Sequence, residues 1–182
     1  YGTAPADFNT YGSRRGNHHV MARGTFAHLR LNNALSEKAG GYTTIMPDNE
    51  AATIFSAAER YRERGEQTIV IAGKRYGAGS ARDWAAKGTR LLGIRGIIAE
   101  SFERIHRSNL VRMGVLPMQF LEGDNWQTLG LKGDDVFSLE MAVDTLHPLE
   151  RLEITVRTTD GGTRRFPVLC RVDTAEELRY LR

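Results

Sequence analysis

A mixed α/β fold is the class this sequence predicts, and three observations predict it. Thr68-Ile69-Val70-Ile71-Ala72 and Gly96-Ile97-Ile98-Ala99 are continuous apolar runs, the pattern of strands covered on both faces. Between them lie a glycine loop and a stretch of helical spacing, so strand, helix and strand follow in the order of a βαβ unit with a parallel pair. The last third of the chain switches to short strand-like segments, which makes the sheet mixed. With no internal repeat or low-complexity linker, residues 1–182 read as a single domain.

Each element has its own signal. Tyr1 to Asn17 is turn-rich and carries Tyr11-Gly12-Ser13-Arg14-Arg15-Gly16-Asn17 without a hydrophobic period, so it reads as a surface loop. Asn17 offers a helix N-cap, and Val20, Met21, Phe26, Leu29 and Leu31 supply a short helix followed by an extended piece. Thr43 to Met46 is a short strand stopped by Pro47. From Asp48 onward Ala51, Ile54, Phe55, Ala58 and Tyr61 recur at helical spacing; Asp48 or Asn49 caps this helix and Gly65 ends it. After the Thr68–Ala72 strand the pattern predicts a helix of about a dozen residues from near Ser80, by the ordinary helix start signals. A helix over Phe102 to Met113 and a strand over Val115 to Phe120 repeat the step. Val136 to Leu139, Leu152 to Arg157 and Arg164 to Val172 read as strands, the last two joined by the turn Thr159-Asp160-Gly161-Gly162, and a helix closes the chain.

Composition excludes several classes of function. At 41% hydrophobic and 26% charged residues the chain is neither disordered nor a disulfide-stapled mini-protein. No apolar run approaches the roughly 20 residues of a membrane span, so no membrane partner is expected. The single cysteine, Cys170, cannot form an internal disulfide or by itself hold a metal or cluster, which suits a reducing, cytoplasmic location. The net charge of +3 falls short of a dedicated nucleic-acid binder. Twenty-one of the 25 cations are arginine, whose planar fork grips carboxylate or phosphate bidentately, so an acidic small molecule or a polyanion is a fair partner. A coding bias toward arginine explains the same count. Tyr stands at residue 1 and the last periodic segment, from Thr174 to Arg182, has no stop signal; both suggest a piece of a longer chain.

The chemistry concentrates in the loop from Gly73 to Asp83. Loops at the carboxyl ends of strands bind ligands in α/β sheets, and a helix N-terminus there offers free N–H groups to an anion. It is not a Walker loop, since no Gly-Lys-Ser/Thr closes it, and Arg82 replaces the third glycine of the dinucleotide fingerprint. Ser80 lacks the flanking glycines of a hydrolase nucleophile elbow. Gly79, Ser80, Ala81 and Arg82 can instead meet a free carboxylate or phosphate; the plainer reading is a turn with Ser80 as N-cap and Arg82 in solvent. His106, mid-helix, reads as structural. The pair His18-His19 reads as solvated, because adjacent helical residues diverge.

Four blocks in order now identify a family. They are Phe8 to Asn17, Met21-Ala22-Arg23-Gly24-Thr25-Phe26, Tyr76-Gly77-Ala78-Gly79-Ser80-Ala81-Arg82-Asp83-Trp84-Ala85-Ala86-Lys87-Gly88, and Ala99-Glu100-Ser101-Phe102-Glu103-Arg104-Ile105-His106-Arg107-Ser108-Asn109-Leu110. They closely resemble the C-terminal swivel domain of aconitases, in the bacterial and iron-regulatory-protein branch. The resemblance implies a swivelling β/β/α domain of a hydro-lyase of the tricarboxylic acid cycle. Such an enzyme interconverts citrate and isocitrate through cis-aconitate at a 4Fe-4S cluster. It further implies that the cluster ligands and catalytic histidines lie in upstream domains, that no metal is held by this chain, and that the domain alone is inactive. By its motif Ser80 is the base and Arg82 binds a substrate carboxylate, with Gly79 and Ala81 beside them. A second substrate arginine is Arg23, with Arg14 or Arg15 as alternatives. Two residues depart from the family pattern: Ala81 replaces a serine and Arg112 a glycine. These departures keep 2-methylcitrate dehydratase open as an alternative. An RNA-binding regulatory module, less favoured by the modest charge, and a domain with a dead site are the readings from other classes.

Overall fold

The computed structural model describes residues 2–140 and 143–181; Tyr1, Met141, Ala142 and Arg182 lie outside the described residues, as do the side chains of Tyr11, Arg82 and Val143. Among the described residues the elements run α1 (His18–Gly24), β1 (Tyr42–Ile45), β2 (Glu50–Thr53), α2 (Ile54–Glu63), β3 (Thr68–Ala72), α3 (Arg82–Leu91), β4 (Ile94–Ala99), α4 (Arg104–Arg112), β5 (Leu116–Phe120), β6 (Val136–Leu139), β7 (Arg151–Arg157), β8 (Thr163–Cys170) and α5 (Ala175–Leu178). Six strands make one sheet in the order β3-β4-β5-β8-β7-β6. The first three are parallel and the other pairings antiparallel, so the expected mixed α/β sheet with βαβ units is present. Strands β1 and β2 form a separate hairpin.

The apolar runs act differently from one another. In β4, Ile97 and Ile98 are both fully buried and enter two separate core clusters, because successive side chains leave a strand on opposite faces. The expectation of two covered faces therefore holds for β4. It holds for β3 too, with Ile69 and Ile71 packed against one cluster and Val70 and Ala72 against the other, although its place at the sheet edge keeps every residue only half-buried. On the antiparallel side Leu152, Ile154 and Val156 alternate inward with Phe166, Val168 and Cys170 across the β7–β8 ladder.

The helix expected from Asp48 is corrected at its start. Residues Glu50–Thr53 pair in register with Tyr42–Ile45 as β2, and the helix begins only at Ile54, where the Thr53 hydroxyl accepts the Ser56 N–H at 3.0 Å. Ladder pairing takes the turn that helical periodicity would have claimed, while Gly65 ends α2 as expected, at φ +70°. The extended piece expected after α1 is turns and bends among the described residues. Asn17 caps α1 through its side-chain oxygen, which accepts from His19 and Val20.

Helix α5 is fastened to α4 by Arg107. This buried guanidinium donates to Glu177 at 2.6 Å, lies 3.3 Å from Asp173 and donates to the Arg171 carbonyl at 3.0 Å. Charge neutralisation on that scale makes burial of an arginine tolerable. It also anchors α4, whose N-terminal turn, with His106 next to Arg107, reaches the glycine loop. No helix among the described residues is long and apolar enough to cross a membrane.

Candidate functional site

Strands β3 and β4 end side by side, and the segment 73–81 leaves the carboxyl end of β3 to reach α3. Its base is stitched to the segment after β4. The Arg75 N–H donates to Ser101 Oγ at 2.8 Å, the Tyr76 N–H to the Ser101 carbonyl at 2.9 Å, and the Glu103 N–H to the Tyr76 carbonyl at 2.8 Å. Tyr76 and Phe102 thereby extend the parallel pairing by one bridge. This pairing removes Phe102 and Glu103 from the helix expected from Phe102, and α4 starts at Arg104 with Glu103 as its cap.

Beyond Tyr76 the chain turns away. Gly77 adopts φ +86°, and the loop then runs over a cavity of about 230 Å³ lined by Gly77, Ala78, Gly79 and Ser80 on one side and by Glu103, Ile105 and His106 on the other. A larger hollow of about 300 Å³, with Arg62, Arg90 and Arg95 in its lining, opens at the opposite ends of these strands, away from the loop. Gly79, Ser80 and Ala81 are exposed together, and Ser80 makes no hydrogen bond to a described residue.

The helix start differs from the sequence expectation. Helix α3 begins at Arg82, its cap position is Ala81 rather than Ser80, and no side chain caps it. The first N–H groups of α3 therefore lack a capping oxygen and face the loop, a disposition that favours an anion. The body of the helix is firmly seated. Ala86 and Thr89 are buried, and a Cβ on Gly88 would stand 1.6 Å from Oγ1 of Thr25, the C-cap of α1, so the α3 backbone lies against that side chain there.

The far wall carries a carboxylate. Glu103 accepts the His106 N–H at 2.9 Å, and the backbone N–H groups of His106 and Ile105 hold its carboxyl below the usual range. Tyr76 is pushed the other way, its phenol raised by burial. The cleft thus pairs a fixed negative wall with a helix N-terminus and the backbone of Arg82; the Arg82 side chain lies outside the described residues.

The early arginines have local anchors. Arg23, exposed on α1, places its guanidinium 4.1 Å from the centre of the Phe55 ring and donates to the His19 carbonyl at 3.0 Å. Arg14 reaches the Asp7 carbonyl at 3.5 Å and Arg15 the Gly12 carbonyl at 2.9 Å. Of these only Arg23 sits on a helix that packs against α3. His18 and His19 are exposed, as expected, although their rings lie 4.0 Å apart and tilted by 35° rather than diverging.

His106 is buried, in keeping with the structural reading, and it also lines the same cavity as Ser80, which sequence reasoning did not foresee. The available signal was its place in the Ala99–Leu110 block.

The residues present do not fit an iron–sulfur cluster. Among the described residues no three His, Cys, Asp or Glu side chains gather as metal ligands. Cys170 is buried within β8, and that burial raises its thiol above the usual range.

Residues 1–123 match the family model of the aconitase C-terminal domain. The chain is 52% identical over 184 aligned residues to aconitate hydratase A of Bradyrhizobium diazoefficiens, which covers 98% of this chain and 20% of the relative. It is 52% identical over 180 residues to aconitate hydratase A of Thermus thermophilus, with the same coverage. The chain thus spans 20% of the length of these curated relatives. A solved 3-isopropylmalate dehydratase of Methanocaldococcus jannaschii aligns at 22% identity and a TM-score of 0.42 over 70% of this chain and 66% of its own, too distant to carry an argument.

Proposed function

The chain belongs to the aconitase C-terminal domain family, and from that premise we propose that residues 1–182 are the substrate-closing domain of an aconitate hydratase. In this reading the domain supplies a base and a carboxylate clamp for the interconversion of citrate and isocitrate through cis-aconitate. The reading rests on Ser80, which the motif resemblance puts at the family's base position. It stands exposed over the cleft, directly before a helix start that no side chain caps.

The chemistry follows from that placement. A hydroxyl is a weak base unless positive charge stabilises its alkoxide, and the α3 N-terminus with Arg82 provides such charge. Ser80 Oγ takes the proton from the carbon beside a substrate carboxylate. The negative charge that develops there is held by the N–H groups at the start of α3 and by the Arg82 fork. Arg23 binds a second carboxylate, with Arg14 or Arg15 as alternatives. The described residues offer no ligand set for the family's 4Fe-4S cluster, so in this reading removal of the hydroxyl belongs to the rest of a longer, cytoplasmic parent chain. The domain alone is inactive.

Ala81 favours one second reading. It presents a methyl where the family has a serine, at the tip of the same loop. A substrate with an added methyl, 2-methylcitrate, suits a site that has lost a hydroxyl donor.

The test is Ser80→Ala in the full-length parent enzyme, assayed with citrate and with 2-methylcitrate. We expect kcat to fall by about three orders of magnitude or more with KM little changed, since a base acts in the transition state. Retention of most of the rate refutes the assignment. The wild-type preference between the two acids decides the substrate.

A further inference from the structure

We infer that His106 is a positioning residue for Ser80: its side chain is the seat on which the 77–80 loop rests, and its breadth sets the height of the Ser80 hydroxyl over the cleft. The inference rests on the reading of Ser80 as the base. It names a residue from another element as the part that places that base.

The contact is between backbone and ring. A Cβ built on Gly77 would lie 2.2 Å from His106 Cδ2, 2.3 Å from Cγ and 2.5 Å from Cβ, so the Gly77 backbone lies flat on the histidine. Only a residue without a side chain fits there, and at φ +86° glycine is also the residue that adopts the backbone without strain. The ring itself is held. Tyr76 packs against it with centroids 5.4 Å apart, Phe102 backs Tyr76 edge-on at 6.0 Å, and just 4% of His106 is exposed. Below it, α4 is fixed by the buried Leu110 and Val111 and by the ion pairs of Arg107.

Above Gly77 support is sparse. A Cβ on Gly79 would meet nothing within 4 Å. The Ala78 N–H donates to the Arg75 carbonyl at 3.2 Å, and Ser80 makes no hydrogen bond to a described residue. The loop is therefore held from below by His106 and from behind by α3. Proton transfer needs heavy atoms within roughly 2.6–3.2 Å, and a displacement of about 1 Å costs about a hundredfold in rate. Removing the imidazole leaves a void of several atoms beneath Gly77, room for a shift of that size.

The clamp is spared. Arg82 begins α3, which is seated separately through Ala86, Thr89 and the Gly88–Thr25 contact. Loss of the seat thus moves Ser80 more than it moves the backbone of Arg82, and it acts on kcat rather than KM.

The experiment compares His106→Ala, His106→Phe, His106→Gln, Gly77→Ala and Ser80→Ala in the full-length parent enzyme, following cis-aconitate formation from citrate. His106→Ala should lower kcat by about ten- to a hundredfold with KM within about threefold of wild type. His106→Phe, which restores a flat ring, should recover most of kcat with an unchanged pH profile, and His106→Gln should not. Gly77→Ala lifts the loop with His106 in place and should show the same kcat loss, which keeps the test decisive should His106→Ala fail to fold. Wild-type kcat in His106→Ala or in Gly77→Ala overturns the inference. So does recovery by Gln without recovery by Phe, or a loss confined to KM. If Ser80→Ala retains its rate, the reading of the base fails instead, and that result is separate from any of the His106 outcomes.

Discussion

The 73–81 loop and the 158–162 turn are both glycine-rich, and each holds a glycine at φ +86°, Gly77 in the first and Gly161 in the second. They are built by opposite rules. The turn uses its polar groups on itself: the Thr158 N–H donates to the Gly162 carbonyl at 3.0 Å, the Gly161 N–H to the Thr158 carbonyl at 3.0 Å, and the Gly162 N–H to Asp160 Oδ1 at 3.1 Å. The Thr158 hydroxyl also donates to Asp160. A Cβ on Gly161 would meet nothing within 4 Å. The loop instead leaves the start of α3 without a capping side chain and takes its support from His106, a residue of another element. The turn that closes the hairpin is complete in itself; the loop, for which a ligand role is proposed, leaves its helix start uncapped and is propped from outside.

The sharpest way to break this comparison is to place the same substitution in both segments. Gly77→Ala and Gly161→Ala share the backbone strain of a left-handed alanine, about 1–2 kcal/mol. Gly77→Ala adds the collision with His106, about 1–3 kcal/mol more by the usual cost of overpacking. Urea unfolding of the two variants measures the difference, and equal losses would show that the loop does not rest on the histidine.

Next in size is Arg82→Lys, which replaces a bidentate fork by a point charge. The isolated domain should bind citrate weakly, with a Kd of about a millimolar or more because one clamp must offset all the lost freedom of association. Arg82→Lys should weaken it about tenfold, the equivalent of about 1.4 kcal/mol. NMR titration reads this from the amides of Gly77 to Asp83, with the 158–162 turn as the silent reference. Equal shifts in both proteins would remove the clamp, and a stronger response to RNA hairpins than to citrate would favour a nucleic-acid module.

Ala81→Ser should be smaller. A serine at the α3 cap supplies the missing side-chain acceptor and should stabilise the domain by about 1 kcal/mol, the usual worth of such a cap. Thermal unfolding checks it; an unchanged midpoint would mean that the helical backbone of Ala81, at φ −72° and ψ −15°, keeps a serine from capping.

The smallest effect belongs to the turn. The Thr158 hydroxyl, followed by the Gly162 N–H, holds the Asp160 carboxyl below its ordinary range. A depressed carboxyl contributes stability above its unfolded pKa and loses it as pH falls through the folded one. Asp160→Asn should therefore cost a little at neutral pH, with the gap closing under acid; urea unfolding across that range would contradict this if the gap widened. Activity should not change, because the turn lies outside the cleft.

Much of this architecture was legible from short stretches. Asn17 and Gly65 bound their helices, and the 159–162 turn joins its two strands. Glu50–Thr53 was misread because Ala51 shares the helical period of Ile54 and Ala58, and periodicity does not report a partner strand at Tyr42–Ile45. Both faces of β3 are covered as its apolar run predicted, but its edge position, which leaves it only half-buried, was not legible, because an apolar run looks alike in the middle of a sheet and at its edge. Within the site, the type of loop was visible while its cap was not: Ser80 is the stronger capping residue on propensity, yet tertiary packing starts the helix at Arg82 and puts Ala81 in the cap.

The sequence by itself determined the family blocks, the mixed sheet, and the presence of a serine and an arginine at a strand-to-helix loop, because these depend on residue type and near-neighbour spacing. The tertiary structure alone decided that Gly77 lies on His106, that the Tyr76–Phe102 bridge stitches the loop to the segment after β4, and that Arg107 locks the helix beneath. The physical reason is that a glycine's conformational freedom is a local property. What occupies the space beneath it is set by how distant elements pack, and near-neighbour spacing does not encode that distance.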